Sequence, residues 1–367
     1  MTTTAPVHAP LEVECRAGLF ERVGDISALS VLRIVLGPIT IAHLWPFLQD
    51  ARAGIHYDDH FWQPYLSGAP RLPGELWAML LWVGAASAVM MSLGILTRLA
   101  TATTFVIVAG NLLLSGTHFR HNRAFLTILL LGLALLPTGR ARSVDAWWRR
   151  TRGLEALSPV APLWPLVLLR VQVSLVYFSS GFSKLVDPDW VTGLVLWDRA
   201  VRYQSVIHPA PGWVVDLVTW RPLFWVVAPA AIGTELFLAV GLWLPRTRLI
   251  AIRLAIVFHL AIELSAQVEV FSLAAMAALI IWVTPSPRDR TIRVRGATRA
   301  TRVLATALPT LDWLGRFEVE APRSDEPDVT VVDRDGATLH GPAAIRLVLE
   351  RLPVTFLFAP LVRSPAR

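Results

Sequence analysis

The sequence predicts an all-α polytopic membrane protein of about eight transmembrane helices, followed by a small cytoplasmic α/β tail. Three observations predict it. Hydrophobic residues make up 54% of the 367 residues and charged ones only 17%, with a mean hydropathy of +0.53, above the range of soluble domains. The apolar residues are gathered into runs separated by short loops bearing arginine or proline. After Pro285 the composition turns basic and then polar, with hairpin and helix signals. The expected division is a cytoplasmic segment over 1–26, a transmembrane domain over 27–285, a basic linker over 286–308 and a small tail domain over 309–367.

The N-terminal segment carries Glu12, Glu14, Glu21 and Asp25, unlike a cleavable signal peptide. Arg16–Val23 reads as a short interfacial helix. The first span, about 27–48, contains Arg33, which either snorkels to the interface or pairs inside the bundle. Residues 49–75 form a loop whose His56, Asp58, Asp59 and His60 read as ordinary solvated polar groups, since no helix pattern fixes a metal geometry. The second and third spans, about 76–96 and 99–117, meet at a tight turn through Gly94. Thr104, Asn111, Ser115 and His118 share a face of the third and suit interhelical hydrogen bonding. A short fourth span, about 124–137, leads into a loop with five arginines around Ser143-Val144-Asp145. The fifth span runs over about 163–186, the sixth over 222–244, the seventh over 249–266 and the eighth over 268–284. Residues 187–221 are too interrupted to span and read as an external, partly helical segment over a cavity mouth.

The sequence assigns sides through its arginines. With both termini cytoplasmic, sixteen arginines fall on inner segments and seven on outer loops, the bias expected of a plasma-membrane protein in a bacterium. The net charge of +7 therefore reads as topology and lipid head-group contact. No basic module interleaved with aromatics is present, so nucleic acid is not an expected partner; membrane lipids and a protein or peptide are. The single cysteine, Cys15, excludes an intramolecular disulfide, a CxxC redox pair and a zinc cluster built on thiolates.

Chemistry concentrates in the fifth span. Arg170, Ser174, Tyr177, Gly181 and Lys184 recur at helical offsets and form one polar stripe, which hydrocarbon could not solvate. Lys184 is the only lysine of the chain and is followed by Asp187, Asp189 and Trp190. It reads either as a snorkelling lysine beside an interfacial tryptophan or as a functional amine. Glu235, near the middle of the sixth span, reads as a functional carboxylate or a buried, hydrogen-bonded one. His259 and Glu263 lie one turn apart, as a packing pair or a proton-handling pair; a metal site would need a third ligand.

The run Tyr177-Phe178-x-x-Gly181-x-x-Lys184-Leu185, with Asp189-Trp190-x-x-Gly193 beyond it, resembles the signature of the vitamin K-dependent γ-carboxylase-like, or HTTM domain, membrane proteins. The resemblance extends over about 25–285 through Arg33 with Gly37, Ser143 with Asp145, and Thr234-Glu235. At the corner before Phe125-Leu126, Asn122 matches the asparagine of that family, whereas Arg123 stands where it carries a histidine. The resemblance implies a reduced naphthoquinone as cofactor and Lys184 as a candidate base, with His259, Glu263 and Glu235 beside it as further catalytic candidates. Tyr177, Asn122, Trp190 and Arg33 are then the cofactor-binding candidates. Nothing after residue 285 matches the large lumenal substrate-binding region of true carboxylases. A non-enzymatic partner or maturation protein, and a quinone-linked oxidoreductase subunit resembling the DoxX type, stand as alternatives. The tail from Leu311 onward resembles part of the DCC thiol-disulfide oxidoreductase-like family, a degenerate thioredoxin-like fragment without its cysteines.

Overall fold

The computed structural model describes residues 20–53, 65, 72–202, 211–265, 268–284, 290–312, 315–323, 326–352 and 355–362. Cys15, His56, Asp58, Asp59 and His60 lie outside them. Of the helix expected over 16–23, residues 16–19 lie outside the described ones and Val23 begins a strand: β1 (Val23–Asp25) pairs antiparallel with β2 (Val160–Pro162). This ties the start of α1 (Leu29–Arg52) to the start of α6 (Trp164–Leu185) at one end of the bundle.

Four helices pack in sequence as α1, α2 (Gly74–Leu93), α3 (Thr97–Leu114) and α4 (His121–Leu135). The short helix α5 (Val144–Thr151) then lies along the same end as β1, its Trp147 and Trp148 exposed. The second half is built from α6, α10 (Phe224–Gly241), α11 (Arg248–Ser265), α12 (Phe271–Ala278) and α13 (Ile280–Val283). Between α6 and α10 lie α7 (Pro188–Val191), α8 (Leu194–Arg202) and α9 (Gly212–Thr219), a partly helical segment that packs on the Lys184 end of α6 and on α10. The halves join where α4 meets α6 and where α1 and α4 meet α12.

Among the described residues, five helices are long and apolar enough to cross a membrane: α1, α2, α3, α6 and the segment Arg221–Gly241 that contains α10. The other three expected spans fall short for separate reasons. The helix α4 has 15 residues, about 22 Å at the α-helical rise. The last span is broken into α12 and α13. Arg248, Arg253 and Glu263 interrupt the apolar character of α11.

Buried backbone groups at membrane depth have to find partners inside the protein. Pro38 cannot donate to the carbonyl one turn back, that of Ile34, and the Ser92 hydroxyl of α2 does so instead at 2.7 Å. Gly37 permits this approach, because a Cβ there would sit 2.5 Å from Ser92 Cβ. At the α2–α3 corner Gly94 takes φ +74° and ends α2. The Asp145 carboxylate accepts from the amides of Leu96 and Thr97 and from the Thr97 hydroxyl at 2.7–2.9 Å, capping α3 from a distant loop.

The segment expected to be a basic linker is part of the folded tail. It supplies β3 (Arg290–Val294) and most of α14 (Arg299–Leu311), which crosses over to β4 (Phe317–Glu320) parallel to β3. A hairpin of β5 (Val329–Val332) and β6 (Thr338–His340) extends the sheet in the order β4-β3-β5-β6, and α15 (Gly341–Arg351) closes the unit. Ile292, Leu308, Val331 and Val348 form its separate core. The reason for the misreading is the alternation Thr291-Ile292-Arg293-Val294: an edge of arginines reads as linker until its apolar partners in β5 are known.

Asp328 joins this tail's elements. Its carboxylate accepts from the Thr301 hydroxyl at 2.6 Å and from the amides of Ala297 and Thr298, which hold it below the usual aspartate range. A depressed native value gives stability that is present above the ordinary carboxyl range and lost as pH falls through the native value. The tail should therefore loosen on acidification below about pH 4, and Asp328→Asn should flatten that acid limb when melting is followed by circular dichroism.

Candidate functional site

Turned inward, the polar stripe of α6 meets a partner at every position. Arg170 donates to the carbonyls of Ile281 and Thr284. Ser174 Oγ accepts from Trp243 Nε1 at 2.8 Å. Tyr177 Oη and His259 Nε2 are 2.8 Å apart, both residues buried. Lys184 Nζ lies 2.6 Å from each oxygen of Glu235. Lys184, read either as a snorkelling lysine or as a functional amine, is paired with Glu235 inside the bundle. The lysine side chain is 18% exposed and the glutamate 7%, so the ion pair is largely desolvated.

Ser180 locks the pair. Its hydroxyl donates to Glu235 Oε1 at 3.0 Å and accepts from Lys184 Nζ at 3.0 Å, one turn along the same helix. The close crossing of α6 and α10 depends on Gly181, where a Cβ would meet Leu236 at 3.0 Å and Glu235 Cβ at 3.1 Å. Gly181→Leu should separate the helices and cost about 1–3 kcal/mol, the range of overpacked cores. Loss of the Lys184–Glu235 contact with it would be read as a changed Lys184 labelling rate. An unchanged rate would show that the helices give way elsewhere.

Outside the pair, Trp190 offers its ring to two cations, Lys184 Nζ at 5.0 Å and Arg199 Cζ at 5.4 Å from the centroid. On the inner side, the Tyr177–His259 pair continues through Phe271, 5.6 Å from the imidazole, to Phe125, 5.5 Å further. Lys184, Glu235, Tyr177, His259 and Trp190 are thus brought together, on α6, α7, α10 and α11.

Three expected members are not. Glu263 is exposed on α11, and the imidazole of His259 turns to Tyr177 instead, so the His259–Glu263 pair is not formed. Helical spacing put them one turn apart, but His259 is buried against α6 while Glu263 is exposed. Asn122 is half-buried in the first turn of α4, and none of its contacts reaches Lys184. Arg33 is fully buried near the other end of the bundle, where it donates to the carbonyls of Met91, Ser92 and Arg142. Its charge serves the α2–α3 corner and holds no cofactor beside Lys184.

Sequence reasoning overlooked Glu269. Arg123 Nε and Nη2 donate to its two oxygens at 3.0 and 2.7 Å, and the guanidinium lies 4.7 Å from the Phe47 ring centroid. Glu269 adopts φ +56°, uncommon for a non-glycine residue, and joins the α11–α12 turn to the start of α4. An arginine in the family's histidine position was the available signal for an acidic partner. Buried beside it are His43, 5.5 Å from Phe47, and His118, whose Nδ1 lies 3.0 Å from the Asn111 carbonyl. Trp77 Nε1 donates to the Asn111 side chain at 3.1 Å, so the expected polar face of α3 is used between helices. No group of three or more potential metal ligands occurs among the described residues.

Neither a curated protein nor a solved structure matches the chain. The family model of the HTTM domain matches residues 21–286, which takes in α1 through α13 and ends where the tail begins. The chain belongs to the HTTM domain family and, with its long apolar helices, is an integral membrane protein.

Proposed function

We propose that the Lys184–Glu235 pair is a proton-handling site for a quinol head group, in a protein similar in chemistry to the vitamin K-dependent γ-carboxylase-like members of its family. The observation that carries this is a desolvated ion pair with, two turns back along α6, a buried tyrosine–histidine pair. Ionisable groups inside a membrane are expensive to maintain and mark functional sites by default. The residues present suit an aromatic head group: Trp190 offers a ring face, and stacked Phe178 and Phe182 on the exposed side of α6 continue an apolar path.

In the resting arrangement Nζ donates to both Glu235 oxygens, so a free amine base is not displayed. Transfer of one proton from Nζ to Glu235 leaves a neutral amine. That amine then accepts the proton of a phenolic O–H, and the pair ends as a lysinium beside a neutral carboxyl. Proton and charge balance: the head group's proton ends on Nζ, Glu235 keeps the proton that Nζ gave up, and the pair gains the one positive charge that the head group loses. A reduced naphthoquinone, once bound, supplies the redox chemistry that side chains lack. Ser180 holds Nζ in place, and Tyr177, two turns back along α6, forms its own buried pair with His259. Both termini lie on the cytoplasmic side in this reading, with Lys184 at the outer face.

The test is quinone extraction from the purified protein in parallel with Lys184→Ala and Glu235→Gln. Naphthoquinone held by the wild type and lost, or no longer oxidised, in both variants supports the proposal. Wild type and variants that hold none alike reject it. A second reading has its own support: Nζ, Ser180 and both carboxylate oxygens already satisfy one another, as in a purely structural clamp of a non-enzymatic membrane partner.

A further inference from the structure

The helix α5 buries none of its residues, so apolar packing against the bundle does not hold it. Polar contacts at its first turn do. The Ser143 hydroxyl accepts from the Ala146 amide at 3.0 Å and donates to the Gly139 carbonyl. Asp145 donates its amide to the Gly94 carbonyl at 3.0 Å, and its carboxylate takes the amides of Leu96 and Thr97. The helix is thereby fixed beside the end of α2 and the start of α3, both apolar enough to span a membrane. Spanning helices end at the head-group layer, so α5 sits at that depth.

The outward surface of α5 is apolar on one face. Val144, Trp147, Trp148 and Thr151 recur at helical spacing and share that face. All four are exposed, Trp147 at 58% and Trp148 at 50%. Leu93, Leu96 and Leu99, at the corner that Asp145 grips, are exposed as well, on the flank of the bundle that hydrocarbon covers. Two tryptophans left in water would forgo the large burial that each ring can gain.

Charge accompanies this face. Arg149, Arg150 and Arg152 lie on α5 and at its end, and Arg98 follows Thr97 at the corner. Arg149 Nη2 donates to the Glu155 carbonyl at 3.3 Å and Arg150 Nε to the Ala146 carbonyl at 3.2 Å. Arg152 stacks on Trp148, 3.8 Å from the ring centroid. None of these four arginines forms an ion pair among the described residues. Of the two nearby carboxylates, Asp145 is engaged by α3 and Glu155 pairs with none of them. Carbonyls and a ring face satisfy guanidiniums without cancelling their charge. A surface that is aromatic and cationic at this depth matches an acidic head-group layer, where tryptophan takes the boundary with the acyl chains and arginine takes phosphate.

We propose that α5 lies in the plane of the leaflet on the tail side and binds its acidic phospholipids. Trp147 and Trp148 rest on the upper acyl chains, and Arg150 and Arg152 hold the phosphates. The surface is separate from the Lys184 site, which lies at the other end of α6.

The full-length protein in nanodiscs of phosphatidylcholine with phosphatidylglycerol provides the test. In a Cys15→Ser background, Thr151→Cys carries a fluorescent dye on the tryptophan face. Phosphatidylcholine brominated on its acyl chains should quench the dye, and aqueous iodide should not. Energy transfer from the dye to a fluorescent phosphatidylglycerol then reads binding at α5. Arg150→Gln/Arg152→Gln should lose about 30-fold in affinity for that lipid, about fivefold for each guanidinium. Arg299→Gln/Arg302→Gln, which removes the same charge from exposed positions of the tail, should leave it unchanged. Quenching by iodide in place of the brominated lipid would overturn the proposal. So would wild-type affinity in the α5 variant, or an equal loss in the tail variant, which would make the attraction one of net charge alone.

Discussion

Replacement of Lys184 by methionine is expected to destabilise the bundle by about 3–5 kcal/mol, because Glu235 would be left as a buried carboxylate without its cation. Glu235 is 5% exposed, and its other donor is one hydroxyl, that of Ser180. Glu235→Leu should have an effect of similar size by stranding the amine. The informative variant is the double one, Lys184→Met/Glu235→Leu. An apolar pair of similar volume avoids the desolvation of both charges and often matches or exceeds the stability of the ion pair it replaces. Recovery of wild-type stability in the double variant, measured by unfolding in bicelles, would mean that the charges are retained for a reason other than packing. That outcome, together with loss of quinone, is what the proton-handling reading requires. Failure of the double variant to recover would favour the clamp.

Arg33→Met is the second large effect, and it lies far from the candidate site. The guanidinium is fully buried and holds the carbonyls of Met91, Ser92 and Arg142, which close the α2–α3 corner and the loop before α5. Met91 O keeps the Gly94 amide as donor, but the carbonyls of Ser92 and Arg142 lose the guanidinium; each left without a donor in a dry environment costs about 1–3 kcal/mol, so a loss of about 2 kcal/mol or more is expected. Arg33→Lys should recover only part, since a single ammonium cannot reach carbonyls on two sides as a planar fork does. The same unfolding assay decides it. A midpoint unchanged in Arg33→Met would show that the corner is held by Asp145 and Gly94 alone. Quinone content should be unaffected by either variant, which separates this arginine from the Lys184 site.

How much of this was legible beforehand differs by element. The helices with long uninterrupted apolar runs could be read off directly, because hydrocarbon leaves only one way to satisfy a spanning backbone. The weaker spans could not be settled so, since α4 is short and α11 carries three charged residues. The polar stripe on α6 was visible from spacing alone, and so was its need for protein partners. Which partners it has was not. Glu235 is 51 residues from Lys184 and His259 is 82 from Tyr177, separations over which no local pattern carries information. His259 and Glu263 were paired by periodicity, and packing separated them because only one of the two points at α6. The tail's first strand was hidden for the same reason: Arg290–Val294 makes sense as a strand only between β4 and β5.

The sequence by itself determined the class of molecule, the family, the helix that carries the chemistry and the inward face of that helix. These follow from composition, periodicity and a short motif, which act over a few turns of chain. The tertiary structure alone decided that Lys184 closes on Glu235 and that Arg33 guards a corner. It also decided that Asp145 ties α5 to the α2–α3 corner. Each of these depends on the crossing of distant segments, where close packing and the desolvation of charge, rather than local preference, select the partner.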